Sequence, residues 1–328
     1  VFKAEIIETK DQKIILKALD GKLEGQEITS EINQYDVISM PKYEQGEKVF
    51  VEKTISEDGS ENFYVLDHIR HKALYLLAAI FAALVLLVGK TKGARALVVL
   101  IFTFFVILKF IIPKIMDGSN PLFISIIGSL IILGFAIYTT EGLNKKSNIA
   151  IFSVVLSLAF TGIISIWFSS FAKLSGFESE EAMYLADIAG NVINIKGLLL
   201  AGIIIGALGV LDDVVISQVV LVDELKKAGG KFSSKEIYSK AMKVGISHLS
   251  SMVNTLFLAY AGVSIPLLIL FTANQGTSVT IEQMLNNEMI ATEIVRALAG
   301  SVGIILAVPI STFLAALILS GQNKSNQS

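Results

Sequence analysis

Up to about residue 70 the chain alternates apolar and polar positions with a period of two. The clearest stretches are Phe2-Lys3-Ala4-Glu5-Ile6, Lys13-Ile14-Ile15-Leu16-Lys17, Lys48-Val49-Phe50-Val51-Glu52 and Phe63-Tyr64-Val65. That period is the mark of a strand with one buried face. Turn signals separate the stretches at Asp20-Gly21, Leu23-Glu24-Gly25, Gln45-Gly46-Glu47 and Glu57-Asp58-Gly59. About five short strands over residues 1–70 predict a small β-barrel module of the OB or SH3 kind. From Ala73 the pattern changes to long apolar runs, each near the ~20 residues that cross a bilayer as a helix. Seven spans are read, at 73–89, 96–113, 121–140, 148–171, 197–222, 245–272 and 294–319. The expected architecture is an all-α polytopic membrane bundle over residues 71–328 behind an N-terminal β module over 1–70.

Composition supports that division and excludes several chemistries. Hydrophobic residues make up 53% of the 328, only 17% are charged, and the mean hydropathy is +0.67, outside the range of a soluble domain. The net charge of −2 and the lack of a basic stripe argue against a nucleic-acid partner. There is no Cys, which removes disulfides, thiol catalysis and thiolate metal sites. His68, His71 and His248 are scattered, so neither a metal nor a cofactor is expected. The basic residues set an orientation. Lys90, Lys92, Arg95, Lys145, Lys146, Lys226, Lys227, Lys231, Lys235, Lys240, Lys243 and Lys324 fall on one side of the seven spans. Arg70, Lys72, Lys114, Lys173 and Lys196 fall on the other. By the positive-inside rule the first side is cytoplasmic, which puts the β module outside a bacterial cell membrane and the C-terminus inside. The chain opens on Val1 rather than Met, so a signal peptide or a first membrane helix is expected ahead of it.

Two adjacent carboxylates, Asp212 and Asp213, interrupt the fifth apolar run. A helical rise places Asp212 roughly 24 Å from Lys196 and roughly 20 Å from Lys226, too deep for so short a side chain to reach water. Each charge costs about 2.5–3.5 kcal/mol at such depth on insertion scales, so the pair needs a partner or a function. Gly202, Gly206 and Gly209 provide a small-residue face for close helix packing. On the sixth span Ser247, Ser251, Asn254, Thr255 and Tyr260 recur at helical spacing, and with Ser217 they are candidate polar support for the aspartates. Such a setting lets a carboxyl titrate as a proton relay does, or holds it protonated as interhelical glue. Lys109 is the one cation of the spans at comparable depth, and it reads as a side chain reaching for the outer interface. Glu293 and Arg296 read as an ion pair at the outer end of the seventh span. Amphipathic surface helices are expected in the outer connections 173–196 and 273–293, the second opened by a Thr280-x-x-Gln283 capping box and running through Glu293. An inner surface helix is expected from Ser233.

The stretch Gly209-Val-Leu-Asp212-Asp213-Val-Val, followed by Val222-Asp-Glu-Leu and a span ending Ala261-Gly262, resembles the fourth and fifth membrane helices of the RND superfamily, which includes SecD/SecF. That resemblance implies a proton-carrying acidic pair at Asp212 and Asp213, and an RND-like six-helix repeat over 96–320 plus one further span. The large extracytoplasmic porter insertion of that superfamily is absent here, replaced by Lys114-Ile-Met-Asp-Gly-Ser-Asn. Over nearly its full length the chain is similar to the YibE/F family of bacterial membrane proteins. The features that carry this are the module before the first span, Gly197 through Gly209, Asn254-Thr255 through Ala261-Gly262, and Arg296 through Pro309. Members of that family often carry a single acidic residue in this motif, which the resemblance matches to Asp213.

The leading functional reading is an ion-coupled, proton-driven component of membrane transport or export, not an enzyme. It would sit in membrane lipid as a homodimer, or as a heterodimer with a paralogous subunit, because RND machines use two six-helix halves. The alternative is an envelope assembly factor whose β module docks a partner and whose helices only anchor it. An intramembrane hydrolase is disfavoured: there is no zinc signature and no Ser/His dyad at depth, and adjacent aspartates do not suit an aspartyl protease.

Overall fold

The alternating N-terminal stretch forms strands β1 (Phe2–Lys10), β2 (Lys13–Ala18), β3 (Glu27–Glu31), β4 (Lys48–Ile55) and β5 (Glu61–His68). They make one antiparallel sheet in the order β3-β2-β1-β4-β5, and the edge strands β3 and β5 approach each other. The computed structural model describes residues 1–10, 13–31, 43–56, 59–190, 192–229, 232–273 and 280–320; Glu57, Asp58, Lys231 and Lys324 of the sequence reading lie outside them. Register follows the alternation. Ala4 pairs with Ala18 and Val49, Ile6 with Leu16, and Phe2 with Val51, which brings Ala4, Ile6, Ile14, Leu16, Ile28, Val49 and Val51 into one buried cluster.

Gly21, Gly25, Gly46 and Gly59, one in each expected turn, take positive φ. At Gly46 (φ +89) the N–H donates to the Ile6 carbonyl at 2.8 Å, while the Ile6 N–H donates to Glu47 O at 2.9 Å. Gly46→Ala is expected to cost about 1 kcal/mol, because a Cβ disfavours this backbone although open space surrounds it. The loss should appear as faster hydrogen exchange at Ile6 and its strand neighbours, with membrane-helix amides unchanged.

The apolar runs become helices. α1 (His71–Val106) contains one non-helical residue, Lys90 (φ 48, ψ −125), and continues through a π-helical turn (Ile107–Ile111) into α2 (Ile112–Met116). There follow α3 (Pro121–Glu141), α4 (Lys145–Phe171), α5 (Glu180–Ala189), α6 (Ile195–Gly229), α7 (Ser234–Val263), α8 (Ile265–Ala273), α9 (Ile281–Leu285) and α10 (Glu288–Ser320). Among the described residues five segments are long and apolar enough to cross a membrane: 71–116, 121–141, 145–171, 195–228 and 288–319. The chain is a multi-pass membrane protein. Its helices turn large apolar side chains outward, including Phe104, Phe105, Ile163, Trp167 and Leu317, which only a hydrocarbon solvent accepts on this scale.

Two helical expectations need correction. The stretch 245–272 is not one helix. It breaks at Ser264, just before Pro266, and neither α7 nor α8 is among the five segments, because Lys243, His248, Asn254 and the serines dilute α7. The helix opened by Thr280 does not run to Glu293. Its capping box with Gln283 is present, but α9 ends at Leu285, and the Asn287 side chain accepts the Met289 N–H to begin α10. The capping box of Ser233 with Glu236 opens α7, as its sequence suggested.

α10 is the hub of the bundle, flanked by α4, α6 and α7. α4 carries a ladder of small hydroxyl residues at every fourth position, Ser153, Ser157, Thr161, Ser165 and Ser169, all buried, and Thr161 of this ladder meets α10. The first four hydroxyls donate to the carbonyl one turn back at 2.7–2.9 Å. Their hydrogen-bonding demand is therefore met within α4 and the helix surface stays thin. Gly303 of α10 sits directly on Thr161, where a Cβ would run into the hydroxyl. Gly245 plays the same part on α7, since a Cβ there would lie 2.7 Å from Val308 and 3.0 Å from the Gln218 amide. At one end of the bundle Asp223 takes Lys146 (3.2 Å) and Lys227 (2.8 Å), and Lys226 reaches the Leu319 carbonyl. At the other, the Glu288 carboxylate accepts from the Ser175 N–H and hydroxyl and the Gly176 N–H, tying the α4–α5 connection to α10.

Candidate functional site

Asp212 stands at the midpoint of the 35-residue α6. Leu211, Val214, Val215, Gln218, Val219 and Val222 are buried and define the helix face that meets the bundle. At about 100° per residue, Asp213 points away from that face, together with Gly202, Gly206, Gly209 and Ser217. All five are exposed in the chain. Asp212 lies between the two faces, half-buried, and its Oδ1 accepts the Asp213 N–H at 3.0 Å. Of the glycine face expected to pack on another helix, Gly202 and Gly209 are open, since Cβ atoms added there would meet nothing within 4 Å, while at Gly206 a Cβ would lie 3.0 Å from the Tyr260 hydroxyl of α7. Close packing is instead carried by the α4 hydroxyl ladder and Gly303.

Across from this face runs α7. Two contacts fix its level against α6, the Tyr260 hydroxyl at Gly206 and Gly245 on Gln218, and counting between them puts His248 near the level of Asp213. Each pair is nearly symmetric about the connection near residue 231, as expected for an antiparallel helix pair. His248, Ser251 and Thr255 share one α7 face at i, i+3 and i+7, and all are exposed. Ser251 is therefore level with the aspartates, while Asn254 and Thr255 are level with Gly209, about one turn higher. Ser217 is one turn below Asp213 on α6. No hydrogen bond joins Ser217, Ser251, Asn254 or Thr255 to either carboxylate among the described residues, and the Thr255 hydroxyl donates to the Ser251 carbonyl at 2.9 Å. Sequence reasoning missed His248 as the group opposite Asp213. Counting equally from the α6–α7 connection would have found it.

Gln218 was missed as well. It is 1% exposed, and its Oε1 accepts from the Thr312 hydroxyl at 3.0 Å, so a buried amide joins α6 to α10 one turn beyond the aspartates. Lys109 is exposed in the π-helical turn and forms no ion pair among the described residues.

Glu293 and Arg296 do pair, at 3.0 Å, and a third member joins them: Glu178, from the connection before α5, lies 3.5 Å from the Arg296 guanidinium. The Glu178 side chain is 13% exposed, and burial raises its carboxyl above the ordinary glutamate range against the pull of Arg296. No sequence signal joins residues 178 and 296, because the contact depends on how the loop closes over the helices. Glu178, Glu181, Arg296, Tyr260, Gly202 and Gly206 are among the lining of a cavity of about 420 Å³ beneath α5. No cluster of three or more metal-binding side chains occurs among the described residues.

Residues 77–321 match the family described as YibE/F-like protein. No curated protein and no solved structure matches the chain.

Proposed function

The chain belongs to the YibE/F-like protein family, and from that premise we propose an ion-coupled component of membrane transport or export, with the proton as the ion and Asp212 and Asp213 as its carriers. The observation that carries this reading is the placing of Asp213: halfway along a membrane helix, on its exposed face, level with His248 of α7, and with no hydrogen bond from another helix to its carboxylate among the described residues. A carboxyl serving as glue belongs in the bundle interior with fixed donors, as Gln218 is. A carboxyl that exchanges protons needs a way in for them.

Seven crossings accompany this reading. The segment 71–116 supplies one on each side of Lys90, since 46 residues of helix would span about 69 Å against a core of ~30 Å, and α7 with α8 supplies the sixth. The β module then lies outside and the C-terminus inside. The exposed hydroxyls and amide of α7 favour a second copy or a paralogous subunit beside this face, because hydrocarbon does not solvate them.

The test is an infrared titration of the purified protein in lipid, following the protonated-carboxyl stretch. Asp212→Asn and Asp213→Asn should each remove an assignable band, and one band should titrate near neutral pH. A carboxyl that stays protonated at every pH would favour the assembly-factor reading, with the β module as docking site for an envelope partner.

A further inference from the structure

Resting on that reading for its purpose, a route by which water and ions would reach Asp213 can be followed residue by residue. The cavity beneath α5 has an acidic mouth. Its lining carries two carboxylates, Glu178 and Glu181, against one cation, Arg296, so the entrance favours small cations over anions. Gly202 and Gly206 form part of its wall, and they begin the exposed α6 face that continues through Gly209 to Asp213. Gly206 to Asp213 is seven residues, about 10 Å along the helix. The facing α7 residues over that interval are Thr255 and Ser251, whose hydroxyl oxygens keep accepting capacity, and then His248. Tyr260 lies between cavity and groove, its hydroxyl 3.0 Å from where a Gly206 Cβ would stand.

We propose that the cavity and the α6–α7 groove together form an aqueous access route for protons and small cations from the α5 end of the bundle to Asp213, with Tyr260 as its gate. Glycines line the route because any side chain at 206 would fill the passage, and bare backbone with neighbouring hydroxyls is what a file of water requires. Asp213 is reached from one end of the protein, the end bearing Glu178 and Arg296, and not from the lysine-rich end.

The natural absence of Cys makes the test direct. Single Gly202→Cys, Gly209→Cys and Thr255→Cys variants in sealed membrane vesicles would be exposed to an impermeant cationic methanethiosulfonate, from each side separately. Ile163→Cys, at a position 64% exposed on the lipid face of α4, sets the rate for hydrocarbon. The three groove thiols should react from one common side, at least tenfold faster than this lipid-facing reference thiol. Adding Gly206→Leu should then protect the thiol of Gly209→Cys but not that of Gly202→Cys. Adding Tyr260→Ala should speed the reaction of Gly209→Cys, so the gate is tested even if the leucine variant is not recovered. The route would be overturned if Gly209→Cys and Thr255→Cys reacted no faster than Ile163→Cys, or only from the side opposite Gly202→Cys. Accessibility is read without transport. A wet groove above an aspartate that never titrates would leave the route standing and remove the coupling. A dry groove above one that titrates would do the reverse.

Discussion

Arg296→Met is expected to destabilise the helical bundle by about 3 kcal/mol, the lower end of what removing one member of a buried ion pair costs. Two carboxylates depend on this guanidinium, Glu178 at 3.5 Å and Glu293 at 3.0 Å, and all three side chains are largely shielded, at 13%, 23% and 27% exposed for Glu178, Glu293 and Arg296. Methionine preserves the stem and leaves both carboxylates without their cation. The effect has a predicted pH dependence. Burial already holds the Glu178 carboxyl above its ordinary value in the folded protein. A raised carboxyl binds a proton more readily folded than unfolded, so its contribution favours folding as pH falls and opposes it as pH rises through the folded value. Removing Arg296 enlarges that shift. The variant should therefore regain stability on acidification relative to the parent, and Glu178→Gln added to Arg296→Met should recover more than half of the loss. Equilibrium unfolding in detergent across pH reads both. A loss below about 0.5 kcal/mol with no pH trend would class the triad with exposed surface pairs.

The sequence made the strands legible because a strand with one buried face writes its period directly. Ala4 and Ile6, Ile14 and Leu16, and Val49 and Val51 are buried as their alternation predicts, and the turn glycines take the positive φ that only glycine accepts freely. Membrane helices were legible for a different reason: hydrocarbon demands long apolar runs whatever the tertiary contacts. Helix ends that depend on one side chain were legible too, as at Ser233 and Thr280. The far end of the helix opened by Thr280 was not legible. α9 ends at Leu285 because Asn287 starts α10, and no periodicity marks that choice.

The site divides in the same way. Two carboxylates in a membrane helix are conspicuous in any sequence, since their cost must be met somewhere. Which way they face is a matter of phase, and the buried stripe Leu211–Val215–Gln218–Val222 decides it. That stripe could have been read, because its apolar members recur at helical spacing, but Gln218 interrupts it and disguises the core face as a polar one. Small residues misled in the opposite direction. Gly202, Gly206 and Gly209 have the spacing of a packing face, and so do the α4 serines, yet the serines are buried while of the three glycines only Gly206 meets another helix. A thin face is a condition for both a close contact and an open groove, and sequence spacing does not distinguish them.

That distinction gives the second large effect, at the one glycine of α10 that meets the ladder. Gly303→Ala should destabilise the bundle by about 1–3 kcal/mol, the usual cost of overfilling a close-packed contact. The sign is informative because alanine is the better helix former by about 1 kcal/mol, so an unhindered position would gain stability. At Gly303 the new methyl would run into the Thr161 hydroxyl, with the Thr161 Cβ 3.3 Å away. Thr161→Ala removes the obstructing oxygen, which is spent on the Ser157 carbonyl within the same helix. In that background Gly303→Ala should become nearly neutral, a coupling of at least about 1 kcal/mol between contacting residues. Thr161→Ser keeps the oxygen and should give no relief, which separates the hydroxyl from the bulk of the side chain. The cycle can be measured by thermal unfolding of the four proteins in one detergent. Additive losses would mean that α4 and α10 are not in close contact at this level. The same substitution at Gly209, which faces open space, should cost nothing in stability, and that contrast separates a glycine kept for packing from one kept for passage.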